Sequence, residues 1–307
     1  MQKNLQTAVI GAGLMGHGIA LTLARAGQYV RISDPTEEAR ASVAQRISDS
    51  LKTLGEDEGA ITKILKRIEI CSAIETAVHD ADFVFEAAPE KMDLKRAIFA
   101  EIEQHAPQGA VLASNTSVMP ITQIMGELRH KARALGTHWW NPPHMIPLVE
   151  VVSTDWTDPK CADAMMALLT DAGKTPVRVN KDVPGFIGNR LQHALWREAV
   201  SLVENGICDA EAVDTVIKSS FGRRLAVLGP LENADLVGTD LTLDIHENVL
   251  FDLERRDAPS PYLAQLVEEG RLGMKSGEGF RKWTAQEADD VRARVAQHLT
   301  RLEGILP

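Results

Sequence analysis

The chain has 307 residues, enough for two domains of ordinary size, each with its own core. Its 33 Lys and Arg against 43 Asp and Glu give a net charge of −10, which argues against a nucleic-acid or anionic-membrane surface. Cys71, Cys161 and Cys208 form no metal-ligand spacing, no apolar run approaches the ~20 residues of a membrane span, and residues 1–5 lead straight into a strand pattern, so a cytoplasmic protein with buried thiols, no metal and no signal peptide is expected.

The first predicted strand, Gln6–Ile10, opens into Gly11-Ala12-Gly13-Leu14-Met15-Gly16 and then a helix reaching about Gly27. Gly11 permits a tight turn, Gly13 lets backbone N–H groups approach a pyrophosphate, and Gly16 lets helix lie close to strand, with the helix N-terminus facing the anion. A second strand, Tyr29–Ser33, ends at Asp34, eighteen residues after Gly16 and close to the roughly 20 expected of the acid that binds an adenosine ribose. That anion, followed by Pro35 and not by an arginine, favours NAD over NADP.

Residues 36–54 and 60–67 carry helical periodicity around a polar insert, residues 55–59, expected to be mobile. Strand patterns follow at 69–71, 83–87, 111–114, 134–138, 148–152 and 175–179, with helices such as 94–105 between them, the alternation of a doubly wound, mostly parallel α/β sheet. Punctuation at Pro184-Gly185 ends the strand signals. One long helix to about Gly206 and helical patterns at 209–219, 233–254, 261–269 and 284–304 follow, so a Rossmann-type domain over 1–182 and an all-helical domain over 183–307 are expected.

Between the apolar runs at 134–140 and 146–152, Asn141-Pro142-Pro143 reads as a chain reversal, which can bring His138 back beside Glu150, twelve residues on. An imidazole bonded to a carboxylate has its tautomer fixed and its proton affinity raised, which suits a base working near neutral pH. Oxidising a secondary alcohol needs such a base, together with polar groups on the substrate oxygen.

The chain resembles the 3-hydroxyacyl-CoA dehydrogenase family over essentially its full length. The resemblance is carried by the glycine turn, Glu86-Ala87-Ala88-Pro89-Glu90, Ser114-Asn115-Thr116-Ser117, Gly136-Thr137-His138 with Asn141-Pro142, Pro147-Leu148-Val149-Glu150, Pro184-Gly185-Phe186-Ile187 with Asn189-Arg190, and Lys275 with Gly277, Gly279 and Phe280. It implies that His138 is the base and Glu150 its partner, that Ser117 and Asn189 hold the substrate oxygen, and that Glu90, Lys95, Asn115 and Asn141 fall beside the cofactor with Gly11, Gly13, Leu14, Met15, Gly16 and Asp34. It also implies a homodimer through the helical domain.

Two departures turn the expected substrate from a long acyl-CoA toward a small free 3-hydroxy acid. Where acyl-CoA members carry a lysine-rich run, residues 54–59 read Leu-Gly-Glu-Asp-Glu-Gly, a poor place for a polyphosphate tail, although Ser50, Lys52, Lys63, Lys66 and Arg67 stay compatible with CoA. Trp139-Trp140 with Pro142-Pro143-His144 stands where those members usually carry two phenylalanines and one proline; this form resembles relatives acting on free hydroxy acids, such as gulonate and pyridine-carboxylate dehydrogenases. Both indoles would then narrow the substrate site, and Arg223 and Arg224 could clamp a carboxylate. Three readings stand behind it: a short-chain 3-hydroxyacyl-CoA dehydrogenase, a carnitine dehydrogenase, and an NAD-binding protein without catalysis.

Overall fold

The structure, a computed structural model, describes residues 4–303. By contact it divides into two units, Met1–Arg190 and Leu191–Pro307.

Among the described residues the first unit carries eight strands: β1 Gln6–Ile10, β2 Tyr29–Ser33, β3 Ile68–Cys71, β4 Phe83–Glu86, β5 Val111–Ser114, β6 Ala134–Trp139, β7 Leu148–Val152 and β8 Thr175–Val179. They form one sheet in the order β3-β2-β1-β4-β5-β6-β7-β8. All neighbours are parallel except β6 and β7, which the Asn141-Pro142-Pro143 reversal makes antiparallel. Apolar side chains alternate between the two faces. Val9 joins a core on one side with Ile19, Leu23, Phe85 and Leu135, while Ala8 and Ile10 join a second core with Val84, Phe99, Leu112 and Phe186.

The helices of this unit are α1 Leu14–Arg25, α2 Glu37–Thr53, α3 Glu58–Leu65, α4 Ile74–Val78, α5 Met92–His105, α6 Ile121–Met125 and α7 Pro159–Asp171, with α8 Gly188–Glu204 crossing the division between the units. The short α4 and α6 were not legible beforehand, because five residues are too few for a helical period to show. The acids of the insert expected to be mobile each have a partner. Asp57 caps α3 by accepting from the Ala60 N–H at 2.8 Å, Glu56 meets Arg25 at 2.8 Å, and Glu58 meets Lys52 at 3.1 Å.

The second unit contains α9 Ala210–Ser219, α10 Pro230–Val237, α11 Thr239–Val249, α12 Pro261–Glu268 and α13 Ala285–Glu303. The single pattern read over 233–254 is two helices, because Gly238 takes φ 102°, a left-handed backbone that ends one helix and starts the next. Among the described residues no helix is long and apolar enough to cross a membrane.

Candidate active site

The glycine turn is built by steric necessity. Gly11 has φ 106°, and a Cβ there would lie 2.7 Å from the Ala87 carbonyl oxygen, so the crossing of β1 and β4 admits only glycine. A Cβ on Gly16 would collide with the Gly11 carbonyl oxygen. Gly13 differs, since no protein atom lies within 4 Å of where its Cβ would be. It faces open space at the N-terminus of α1, which has no side-chain cap and no acid in its first turn. Its free N–H groups and positive dipole end suit a diphosphate. Leu14 is exposed beside this opening and Met15 is partly buried.

Asp34, at the end of β2, accepts from the Ala12 N–H at 2.9 Å through one oxygen and from the Thr36 N–H and hydroxyl through the other. Burial pushes its carboxyl up, but those donors and Arg40 prevail and hold it below the ordinary carboxylate range. It is thus ionised at neutral pH beside the turn, as a ribose-binding acid should be. The turn, the open helix end and the acid fit a dinucleotide.

Across the strand ends, β6 and β7 pair with His138 directly opposite Glu150. His138 Nδ1 lies 2.7 Å from Glu150 Oε2, with the two side chains only 4% and 1% exposed. The other carboxylate oxygen, Oε1, accepts from the Ile187 N–H at 2.8 Å and the Gly188 N–H at 3.0 Å, at the start of α8. Burial would raise the Glu150 carboxyl, but the bonds from His138, Gly188 and Ile187 outweigh it and keep the pKa low. An ionised Glu150 takes the proton on Nδ1 as a hydrogen bond and leaves Nε2 with its lone pair.

The imidazole sits between two rings, Trp140 at 5.1 Å and Phe186 at 5.7 Å. Phe186 holds φ 50°, an uncommon backbone for a bulky residue, and that twist aims the next two N–H groups at Glu150.

Ser117 and Asn189 are brought together as well. The Asn189 side-chain amide donates to the Ser117 backbone carbonyl at 2.8 Å, while the Ser117 N–H donates to Glu90 Oε1 at 2.5 Å. Glu90 also accepts from the Thr116 hydroxyl at 3.0 Å. Asn115 Oδ1 accepts from the Trp139 N–H at 3.0 Å, tying β5 to β6, and Asn141 is exposed at the cis peptide to Pro142.

Two expectations change. Lys95, expected beside the cofactor, is 0% exposed; its ammonium donates to Glu86 Oε1 at 2.8 Å and to the Ala88 carbonyl at 3.1 Å, so it braces the Glu86–Glu90 turn from beneath. Trp139, expected to narrow the substrate site, is 2% exposed and packs edge-on against Phe85 in the core; successive strand residues face opposite sides. Of the two indoles, Trp140 is the one beside the histidine. Arg223 and Arg224 are exposed in the second unit.

Glu86 was quoted in a motif without a role, yet it collects the Lys95 ammonium, the Ala88 N–H at 2.7 Å and the Ser114 hydroxyl at 2.6 Å. The available signal was a carboxylate closing an otherwise apolar strand.

A dinucleotide cradle at one end of a doubly wound sheet, with a buried imidazole–carboxylate pair at the ends of neighbouring strands, defines a nicotinamide-dependent dehydrogenase. The family model for the 3-hydroxyacyl-CoA dehydrogenase NAD binding domain matches residues 6–183, and that for the 3-hydroxyacyl-CoA dehydrogenase C-terminal domain matches residues 185–283. The chain belongs to the 3-hydroxyacyl-CoA dehydrogenase family and is an NAD-dependent oxidoreductase acting on CH–OH. It is similar to the 5-formyl-3-hydroxy-2-methylpyridine 4-carboxylate 5-dehydrogenase of Mesorhizobium japonicum, 36% identical over 305 residues that cover 97% of each chain. It is also similar to the probable 3-hydroxybutyryl-CoA dehydrogenase of Bacillus subtilis, 39% identical over 280 residues covering 90% of this chain and 96% of the other. The crystal structure of a 5-formyl-3-hydroxy-2-methylpyridine 4-carboxylic acid 5-dehydrogenase, an NAD+ dependent dismutase, matches with TM-score 0.90 at 34% identity over 98% of both chains.

Proposed function

We propose that this protein oxidises the hydroxyl-bearing carbon of a small free 3-hydroxy carboxylic acid, with His138 as the base. The observation that carries the reading is the 2.7 Å bond from Glu150 to His138 Nδ1, which reserves Nε2 for the proton of the substrate hydroxyl. NAD, when bound, accepts the hydride. The positive charge that arrives on the imidazole is balanced by Glu150, itself steadied by two backbone N–H groups. In this reading the Ser117 hydroxyl and the Asn189 amide, which also donates to the Ser117 carbonyl, polarise the substrate oxygen, and Glu90, Asn115 and Asn141 border the cofactor.

Two observations favour a free acid over a thioester of CoA. The Mesorhizobium relative is named for a free pyridine carboxylate. In the α2–α3 hairpin, Lys52 and Arg25 are paired with Glu58 and Glu56, which offsets two of the positive charges a polyphosphate would need. The second reading, a short-chain 3-hydroxyacyl-CoA dehydrogenase, rests on the Bacillus relative. A homodimer in the cytoplasm completes the proposal. The dimer is supported by α10 and α11, which bury no residue and expose Leu231 to 80%, Leu236 to 72% and the neighbouring Phe251 to 71%.

The test is a panel of free 3-hydroxy acids, L-carnitine and 3-hydroxybutyryl-CoA, assayed with NAD. Turnover is expected on a free acid; turnover of the CoA ester far above every free acid reverses the assignment. His138→Gln is expected to lower kcat about 10²- to 10⁴-fold while NAD affinity is retained. Loss of both together would make the histidine structural.

A further inference from the structure

We propose that Arg46, in the third turn of α2, is a coenzyme-binding residue whose guanidinium meets the diphosphate of the dinucleotide. The inference rests on NAD binding at the Gly11–Gly16 turn. The Arg46 side chain reaches back from α2 to that turn: Nη2 donates to the Ala12 carbonyl, between the Asp34 contact and Gly13, and to the Ala39 carbonyl at 3.3 Å. Among the described residues no carboxylate pairs with it, its Nε is buried without an acceptor, and Nη1 bonds no protein atom.

An arginine brought into a partly buried position and left without an anion is costly, unless an anion arrives there. Among the described residues no charged neighbour forms an ion pair with it. Asp34 has both carboxylate oxygens engaged by Ala12 and Thr36, and Arg40 donates to the Asp34 carbonyl at 2.7 Å, which adds a second cation. His17, one turn into α1, bonds the Gly13 carbonyl at 3.0 Å. Burial holds His17 neutral, and the proximity of Arg46 adds to that.

Donors for an anion therefore gather around the glycine turn from three sources, the bare N-terminus of α1, Arg46 and Arg40, with the Asp34 carboxylate as a negative charge beside them. Gly13, next in sequence to the Ala12 carbonyl that Arg46 reaches, has no protein atom within 4 Å of where its Cβ would be. A diphosphate satisfies the fork geometry of a guanidinium and the amide donors together.

Calorimetric titration of the full chain with ADP, adenosine and 2′-AMP tests this directly, alongside Arg46→Gln and Arg46→Lys. Arg46→Gln is expected to weaken ADP about tenfold and to leave adenosine within about twofold, with Arg46→Lys in between. Retained adenosine binding shows that the cradle is still folded. Equal loss of ADP and adenosine would mean that Arg46 only braces the turn, and unchanged ADP affinity would mean that it does not reach the phosphates. Selective loss of 2′-AMP would move its partner to the ribose phosphate. Each of these three results overturns the assignment. If no nucleotide or nucleoside binds even the unaltered chain, the location of the dinucleotide itself fails.

Discussion

Charge placement at single residues separates the groups that carry chemistry from those that carry geometry. Glu86 and Lys95 are both fully buried and bonded to each other, so neither can act on a ligand, and removing one alone would strand the other charge at a cost of roughly 3–5 kcal/mol. His144, in the reversal between β6 and β7, shows the converse. Burial, with His17 and Lys174 nearby, lowers its pKa from 6.5 to about 4. The folded chain therefore refuses a proton that the unfolded chain accepts between those values, and stability falls as pH drops through that window. His144→Asn is expected to flatten the pH dependence of the unfolding free energy between pH 6 and pH 5, by at most about 1.4 kcal/mol per pH unit. Denaturant titrations at the two pH values measure it. An unchanged slope would show that the ring is neutral for no energetic reason. Glu150, whose pKa is depressed below 4.5, contributes stability above that value and loses it only in stronger acid, so it does not confuse the measurement.

Among the elements, the start of α8 does the positioning. Its first N–H groups hold Glu150, and Gly188 lies against the Trp140 ring, where a Cβ would overlap Cζ2 and stand 3.3 Å from Cε2 and Cη2. Gly188→Ala must therefore push the indole toward His138 or lift the helix end off Glu150. The expected loss is about 1–3 kcal/mol in chemical denaturation, with a lower kcat and an unaltered affinity for ADP. Stability equal to that of the unaltered chain would show that the contact is soft. The long, periodic or sterically dictated elements were legible beforehand: β1, β2, β5, β7 and β8 fall at the residues their patterns indicated, and the Asn141-Pro142-Pro143 reversal returns Glu150 to His138. The helix over 233–254 was misread because apolar spacing continues across Gly238, whose left-handed backbone is a local property that periodicity does not see. The partners of Glu56 and Glu58 in the α2–α3 insert were not legible, because Arg25 and Lys52 reach them only in the fold.

On the scale of the whole molecule, the two units differ in how much they bury. The first has a core on each face of its sheet, whereas α9, α10 and α11 of the second bury no residue and leave rows of leucine, isoleucine and valine in water. Apolar area on that scale is stabilised by association. Sedimentation analysis is expected to find a dimer, and Leu236→Asp to shift it toward monomer at the same concentration. A wild-type chain that sediments as a monomer at micromolar concentration would remove the dimer from the proposal.

The amino-acid sequence by itself determined the glycine turn, the alternation of strand and helix, the switch to helices after Pro184-Gly185, and the pairing of a histidine with a glutamate across a short reversal. These depend on sterics and periodicity over a few residues, which are written locally. The tertiary structure alone decided that Lys95 lies under the site, that Trp139 turns to the core while Trp140 faces His138, and that Arg46 returns to Ala12 from 34 residues away. Such contacts form only when sheet and helices have packed, because burial and partner choice are properties of surfaces brought together and not of the segment that carries the side chain.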